Sequence, residues 1–252
     1  MTVRKGRRCY HIGLKKGDAG RYIILCGDPA RAERVSRRFD PLILRRVNRE
    51  FVTYTGMIDG VRITAMGTGI GPDNTEIVLV ELKKVVPENS VVIRCGSSGG
   101  LQKHVNLGDI VVSTGAVRLE GTTGPYAEKG FPAVPDRKIL SLMMGYRKRG
   151  VHFGVTATAD GFYARQGRVV HPNIDDETLK VMMRLGVLNF EMETSALFIL
   201  SRAFGFRSAS ACGVYANRVT DEFISPEDAG KTDERCIDIV IDTILRLALE
   251  GA

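Results

Sequence analysis

Tyr22-Ile23-Ile24-Leu25-Cys26-Gly27-Asp28-Pro29-Ala30-Arg31 is an apolar run that stops at a glycine and resumes, after an acidic residue, with a proline. Its length and bounding residues fit a buried strand. Proline suits the first turn of a helix, where its missing N–H would have had no intrahelical partner. The stretch therefore reads as strand, tight turn and helix, the unit that builds parallel sheets. Working outward, apolar runs at 61–66, 91–95, 110–114, 153–158 and 208–216 are bounded by Gly, Pro, Asp or Asn and read as further strands. Helical patterns cover 29–39, 72–85, 193–204 and 233–249. In the last of these Ile237, Val240, Ile241, Ile244, Leu247 and Ala248 recur at spacings of three and four, which puts them on one face. Alternating strands and helices predict an α/β sandwich with parallel pairing, interrupted by a hairpin at Asp59-Gly60. Residues 121–135 read as a long irregular loop, and no linker or repeat divides the chain, so 1–252 is read as a single domain.

The 252 residues sit at the upper end for one core. With 44% hydrophobic and 26% charged residues, global disorder and low complexity are excluded. No apolar run approaches the roughly 20 residues needed to cross a bilayer. The start, Met1 to Arg8, carries basic residues without the apolar stretch of a signal peptide, so a cytoplasmic protein with no membrane partner is expected. Five cysteines, odd in number and without a Cys-x-x-Cys pair, fit reduced packing residues. Against 29 acidic side chains stand 36 basic ones, a formal +7 that suits either a nucleic acid or a smaller anion. The basic stretches at 4–8, 31–38 and 45–49 have no aromatic stripe, zinc-finger spacing or RNP-like motif beside them, which favours the small anion and no nucleic-acid partner. His11, His104, His152 and His171 lack the paired spacing of zinc ligands, and no Gly-x-Ser-x-Gly elbow occurs; no metal site is expected.

Four constellations could carry chemistry, each with a plainer alternative. Gly27 and Arg31 at a strand exit would suit an anion, with free N–H groups of the helix start; the alternative is an ordinary turn with a solvated arginine. Arg94-Cys95-Gly96-Ser97-Ser98-Gly99-Gly100 is a second strand exit with small residues, lacking the lysine of a phosphate-binding P-loop and the Gly-x-Gly-x-x-Gly spacing. Glu191-Met192-Glu193 aims two carboxylates the same way if extended; they could accept from sugar hydroxyls or simply favour a helix start. Phe162, Gln166 and Arg168, with Arg218 at the end of the next strand, combine an aromatic, an amide and guanidiniums suited to a heterocyclic base, or form a solvated polar rim. An anion, a sugar and a base together suggest nucleoside chemistry.

The chain also resembles a known family, the hexameric class of nucleoside phosphorylases. The resemblance rests on His11-Ile12-Gly13-Leu14, Gly27-Asp28-Pro29-Ala30-Arg31, Arg49-Glu50-Phe51, Thr68-Gly69-Ile70-Gly71, Arg94 to Gly99, Phe131-Pro132-Ala133-Val134, Phe162-Tyr163 and Glu191-Met192-Glu193, in family order. It implies a three-layer α/β/α sandwich with a mixed, partly barrel-like sheet, and dimers with shared active sites grouped into a hexamer. Gly27, Arg31, Arg94 and Ser97 would bind phosphate, with Arg49 supplied by the neighbouring subunit. His11 would cross to the ribose 5′-hydroxyl, while Met192 and Glu193 hold the ribose with Glu191 nearby. Gln166 and Arg168 would read the base edge, Phe162 pack on the ring, Arg218 support the base loop, and Tyr215 line the base-binding wall. Arg31, Arg94, Glu193 and Arg218 form the implied catalytic set. The implied reaction is reversible phosphorolysis of uridine to uracil and ribose 1-phosphate, with phosphate as co-substrate and no cofactor. Some relatives hold a monovalent cation; Glu50 is present here, but Asn74 stands at the expected hydroxyl position and argues against one. Purine nucleoside or methylthioadenosine phosphorolysis on the same fold is the alternative, and Asn217, where the purine branch carries an aspartate, favours uridine. A water-using nucleosidase and a non-catalytic nucleoside- or RNA-binding protein are the remaining readings.

Overall fold

The computed structural model describes residues 8–168, 170–171 and 177–251; the basic start up to residue 7 lies outside the described residues. Strands β1 (Tyr22–Cys26), β2 (Leu42–Asn48), β3 (Phe51–Ile58), β4 (Val61–Gly67), β5 (Val91–Gly100), β6 (Ile110–Leu119), β7 (Val151–Ala159), β8 (Asn189–Glu191), β9 (Arg207–Asn217) and β10 (Glu222–Phe223) join in one mixed sheet. The helices are α1 (Pro29–Ser36), α2 (Pro72–Leu82), α3 (Arg137–Met143), α4 (Thr178–Arg184), α5 (Thr194–Phe204) and α6 (Pro226–Leu249).

The central β1 runs parallel to β4 on one side and β5 on the other, so the order of strands reverses there. In open α/β sheets such a reversal leaves a crevice beyond the carboxyl ends of the strands. β5 then pairs with both β9 and β8, and the chain of neighbours β9, β6, β7 and β8 returns to β5, closing a barrel-like ring of five strands. Register shifts at Ser98/Gly99 and Ser113/Gly115 mark irregularities of the kind that bend a strand and increase its twist. The hairpin expected at Asp59-Gly60 joins β3 to β4, with both turn residues at positive φ as a two-residue turn of this kind needs.

Period-two alternation divides the core into two layers. Tyr22, Ile24 and Cys26 of β1 and Val91, Ile93 and Cys95 of β5 pack with residues of α1, α3 and α6. Ile23, Leu25 and Val92 pack with those of α2 and α5 on the other face. Helices on both faces of the sheet make the α/β/α sandwich. Arg94 follows the parity of Val92, so the alternation that buries Val92 also aims this guanidinium to the α5 side.

Three differences from the sequence reading have physical causes. The hairpin partner β2 was not expected as a strand, because it is an edge strand with exposed and half-buried positions and carries Arg45 and Arg46. β5 extends well past its apolar run, through Gly96-Ser97-Ser98-Gly99-Gly100, and β6 through Gly115 to Leu119, where glycines and small residues break the apolar signal. α6 starts at Pro226 rather than near 233; Ser225 caps it, its Oγ accepting from the Asp228 N–H at 3.1 Å, with Glu227 and Asp228 in the first turn. Those first turns bear no apolar stripe, so hydrophobic periodicity misses them.

Candidate active site

A cavity of about 810 Å³ opens at the carboxyl ends of β1, β4 and β5. Gly27, Arg31, Arg94, Ser97, Phe162, Gln166, Arg168, Glu191, Met192, Glu193, Tyr215 and Arg218 all line it, so the structure brings twelve of the fourteen expected residues to one place. His11 and Arg49 are not among its lining residues. They form a separate cluster: Arg49 donates to the Tyr10 hydroxyl at 2.8 Å, and the His11 ring is 2.9 Å from Glu81. Glu81 also accepts the backbone N–H of His11 and Ile12, which fixes that loop.

At one end of the cavity, α1 departs immediately after Gly27. The free N–H groups expected at the helix start are not free: the Asp28 side chain caps Ala30 at 2.8 Å, and the Arg31 N–H donates to the Asp28 carbonyl. What this turn offers an anion is the open backbone at Gly27 and the Arg31 side chain. Arg31 is only 2% exposed and donates from Nε to Asp233 on α6 at 2.8 Å, from Nη1 to the Cys95 carbonyl at 3.3 Å and from Nη2 to the Tyr215 hydroxyl at 3.2 Å. Burial opposes its charge, and the surrounding groups, Asp233 among them, outweigh that and raise its pKa. Arg31 is therefore a permanent cation.

Arg94, 6% exposed, leaves β5 beside it. Its Nε is 2.9 Å from Glu191 and its Nη2 is 2.5 Å from Glu193, while Nη1 lies 3.9 Å from where a Cβ on Gly27 would stand. Burial works against this charge too and the two carboxylates overcome it, keeping Arg94 protonated. A side chain at position 96 would strike it: a Cβ on Gly96 would come within 2.6 Å of the Arg94 guanidinium carbon and 2.9 Å of the Cys212 sulfur.

The two carboxylates of β8 and the α5 start play different parts. Glu191 accepts from the Glu193 and Thr194 N–H groups and from the Thr158 hydroxyl at 2.5 Å, in addition to facing Arg94. Its oxygens are thus spent on the helix start, as the plainer reading held, and it orients its neighbours. Glu193 accepts the Gly71 N–H at 2.7 Å, which ties the Gly69–Gly71 turn to this wall. Burial pushes the Glu193 carboxyl up while Arg94 pulls it down.

At the far end the Arg218 Nη2 donates to Gln166 Oε1 at 3.3 Å. Gln166 Nε2 and the Nε atoms of Arg168 and Arg218 are buried with no hydrogen-bond partner among the described residues. Buried donors of this kind are costly unless a ligand completes them. Arg168 stacks 4.5 Å from the Phe162 ring centre and 5.4 Å from that of Phe223. Burial, and then Arg168, lower the pKa of Arg218 to about 10. Asn217 is absorbed by the fold: its amide donates to the Gln102 and Val105 carbonyls and its oxygen accepts from Val219 and Thr220.

Residues not expected from sequence also line or brace the site: Phe223, Ile224 and Asp233. A lone aspartate in a charged helix and an exposed aromatic beyond a strand carry no local signal; only the convergence of α6 and β10 on β9 gives them meaning.

Comparison with known proteins identifies the family. A family model described as the phosphorylase superfamily matches residues 21–247. A uridine phosphorylase of Thermococcus kodakarensis is 36% identical over 248 residues, covering 96% of this chain and 87% of the relative. A guanosine phosphorylase of Halorubrum lacusprofundi is 32% identical over 249 residues, with 94% and 98% covered. The crystal structure of a uridine phosphorylase from Vibrio fischeri ES114 superposes with a TM-score of 0.84 at 28% identity, over 97% of this chain and 100% of that one. The family model spans most of the chain, which therefore belongs to the phosphorylase superfamily.

Proposed function

We propose that the chain catalyses reversible phosphorolysis of uridine, giving uracil and ribose 1-phosphate. The observation that carries this is the convergence of two buried guanidiniums, Arg31 and Arg94, on one cavity with a carboxylate at its middle and unpartnered donors at its far end. Phosphate would sit against Gly27, Arg31, Arg94 and Ser97, already anionic and needing no metal to activate it. Glu193 and Met192 would hold the ribose. As phosphate oxygen bonds to the anomeric carbon, the C–N bond breaks and its electrons pass to uracil, which then takes a proton from water. Fixed donors act best where such charge develops. Gln166 Nε2, Arg168 and Arg218 supply them, and holding both reactants in place removes the entropy cost of their encounter.

The separate cluster at His11 and Arg49 supports a dimer in which these residues complete the neighbour's site; we infer a hexamer of such dimers. The reaction as proposed uses no cofactor, and Asn74, where cation-binding relatives are expected to carry a hydroxyl, argues against a monovalent cation. The whole chain, 1–252, is taken as a single domain. Among the described residues no helix is long and apolar enough to cross a membrane, and the free cysteines suit a reducing, cytoplasmic setting. The relative named guanosine phosphorylase keeps purine substrates as the second reading. The internal hydrogen bonding of Asn217 leaves no acid there for a purine ring.

The test is a panel of uridine, thymidine, inosine and methylthioadenosine, each with and without phosphate. Uracil release from uridine only when phosphate is present is expected. Equal release in phosphate-free buffer would mean hydrolysis and overturn the proposal; a preference for inosine would move the substrate to the purine branch.

A further inference from the structure

Tyr215 lies on the wall that sequence reading gave to the base, yet its hydroxyl is engaged at the opposite end. It accepts from Arg31 Nη2 at 3.2 Å, lies in short hydrogen-bond contact with Asp233 Oδ1, and is 3.2 Å from the Ala229 carbonyl. Its ring faces the Arg31 guanidinium at 5.8 Å. Burial, together with the carboxylate of Asp233, keeps the phenol protonated, so the hydroxyl serves as donor and acceptor at once.

The donors of Arg31 can be counted. A guanidinium has five N–H bonds in a rigid plane. Asp233 takes the one on Nε, the Cys95 carbonyl takes one on Nη1, and Tyr215 takes one on Nη2. One N–H remains on each terminal nitrogen, a pair suited to two oxygens of a tetrahedral oxyanion. Without the tyrosine hydroxyl, Nη2 would lose its only fixed acceptor among the described residues and Asp233 one of its donors, and the fork would be held at Asp233 and the Cys95 carbonyl alone, with its anion-facing Nη2 edge unsupported.

We propose that Tyr215 is a positioning residue for phosphate: its hydroxyl, set between Asp233 and Arg31, holds the Arg31 fork in the orientation that receives the anion. The inference rests on the reading of Arg31 as a phosphate ligand. It separates the ring of Tyr215, part of the cavity wall, from its hydroxyl, which serves the co-substrate. It also gives α6 a part in the site, because Asp233 and Ala229 both lie on that helix.

The test is Tyr215→Phe, which keeps the ring and removes one oxygen. Initial rates are measured with phosphate varied at saturating uridine and with uridine varied at saturating phosphate. The phosphate KM should rise roughly 3- to 10-fold, the loss of one modest hydrogen bond, while the uridine KM stays within about twofold. The rise in melting temperature that phosphate gives the wild-type protein should shrink in the variant. A phosphate KM equal to or below that of the wild type, or a loss confined to the uridine KM, overturns the inference. A general structural role would lower the melting temperature without phosphate and leave both KM values in place, which also overturns it. If the wild type itself cleaves uridine without phosphate, it is the reading of the reaction that fails, and that outcome is visible before any variant is made.

Discussion

The guanidinium of Arg94 lies 2.5 Å from the carboxylate of Glu193, with the two side chains 7% and 6% exposed. Neither charge has water to fall back on, so each depends on the other, and Arg94 draws on Glu191 as well, whose like charge opposes that of Glu193. Removing one member of a buried pair typically costs about 3–5 kcal/mol, because the remaining charge is stranded. In an active site it also removes the group that would align the incoming anion.

Arg94→Lys keeps a positive charge and loses the planar fork that spans Glu191 and Glu193. The expected result is a fall in kcat/KM of at least about 100-fold, the scale seen when a single transition-state donor is lost. Arg37→Ala is the control: its side chain is 72% exposed, with Glu33 at 3.9 Å as its ion-pair partner. Activity should change by less than about twofold there, as for most surface substitutions. Comparable losses in both variants, measured with melting temperatures alongside, would count against Arg94 as a ligand.

Gly96→Ala tests the same arginine without touching its charge. The added methyl would stand 2.6 Å from the Arg94 guanidinium carbon, and Cys212 at 2.9 Å blocks retreat on its other side. Overpacking of this kind costs about 1–3 kcal/mol. The larger effect is expected on catalysis, with kcat reduced about 10-fold or more, since small displacements of a positioning group are expensive. Retention of full kcat would show that Arg94 is free to shift.

The strands and helices that build this site were legible where apolar residues alternate or recur, and hidden where other forces shape the backbone. β1 was read residue for residue from Tyr22–Cys26, because both its faces are buried and the turn after it is marked by glycine and proline. β8 spans only Asn189–Glu191, too short for a periodic signal; it was visible only as the place where a strand ends before α5. Among site residues, Arg31, Arg94 and Glu193 sit beside local marks of a strand exit. Asp233 does not: it is 202 positions from Arg31 in sequence, and no local pattern joins them. The helix N-terminus at Asp28 was misread for a related reason, since an aspartate before a proline is itself the cap and uses the N–H groups it seemed to leave open.

A site shared between subunits, as proposed, predicts complementation. Arg49→Ala and Arg94→Ala should each be nearly inactive alone. In a mixed dimer, the chain lacking Arg49 keeps its own Arg94 and would borrow Arg49 from its neighbour, restoring one site. Random reassembly of equal amounts should recover about a quarter of wild-type activity. Recovery no greater than the sum of the separate variants, with mixed assemblies verified by mass, would rule out a shared site.

Asp136 gives a prediction about stability that is independent of catalysis. It caps α3, accepting from Lys138 and Ile139 at 3.0 Å each, and pairs with Arg207 of β9 at 3.1 Å. Burial opposes its ionisation, but Arg207 and the two N–H groups overcome it and lower its pKa below the ordinary carboxylate value. A carboxylate whose folded pKa is depressed contributes stability above the unfolded value, about 3.9, and loses it as pH falls through the folded value. Asp136→Asn keeps a capping oxygen but not the ion pair, so at pH 7 it should cost about 1 kcal/mol, or roughly 2–4 °C in Tm for a domain of this size. The gap from the wild type should hold at pH 6 and 5, narrow below about pH 4, and close once Asp136 is protonated in the folded state. Thermal melts across that range check it, and a gap of constant size down to pH 2 would show that the charge of Asp136 is not its source.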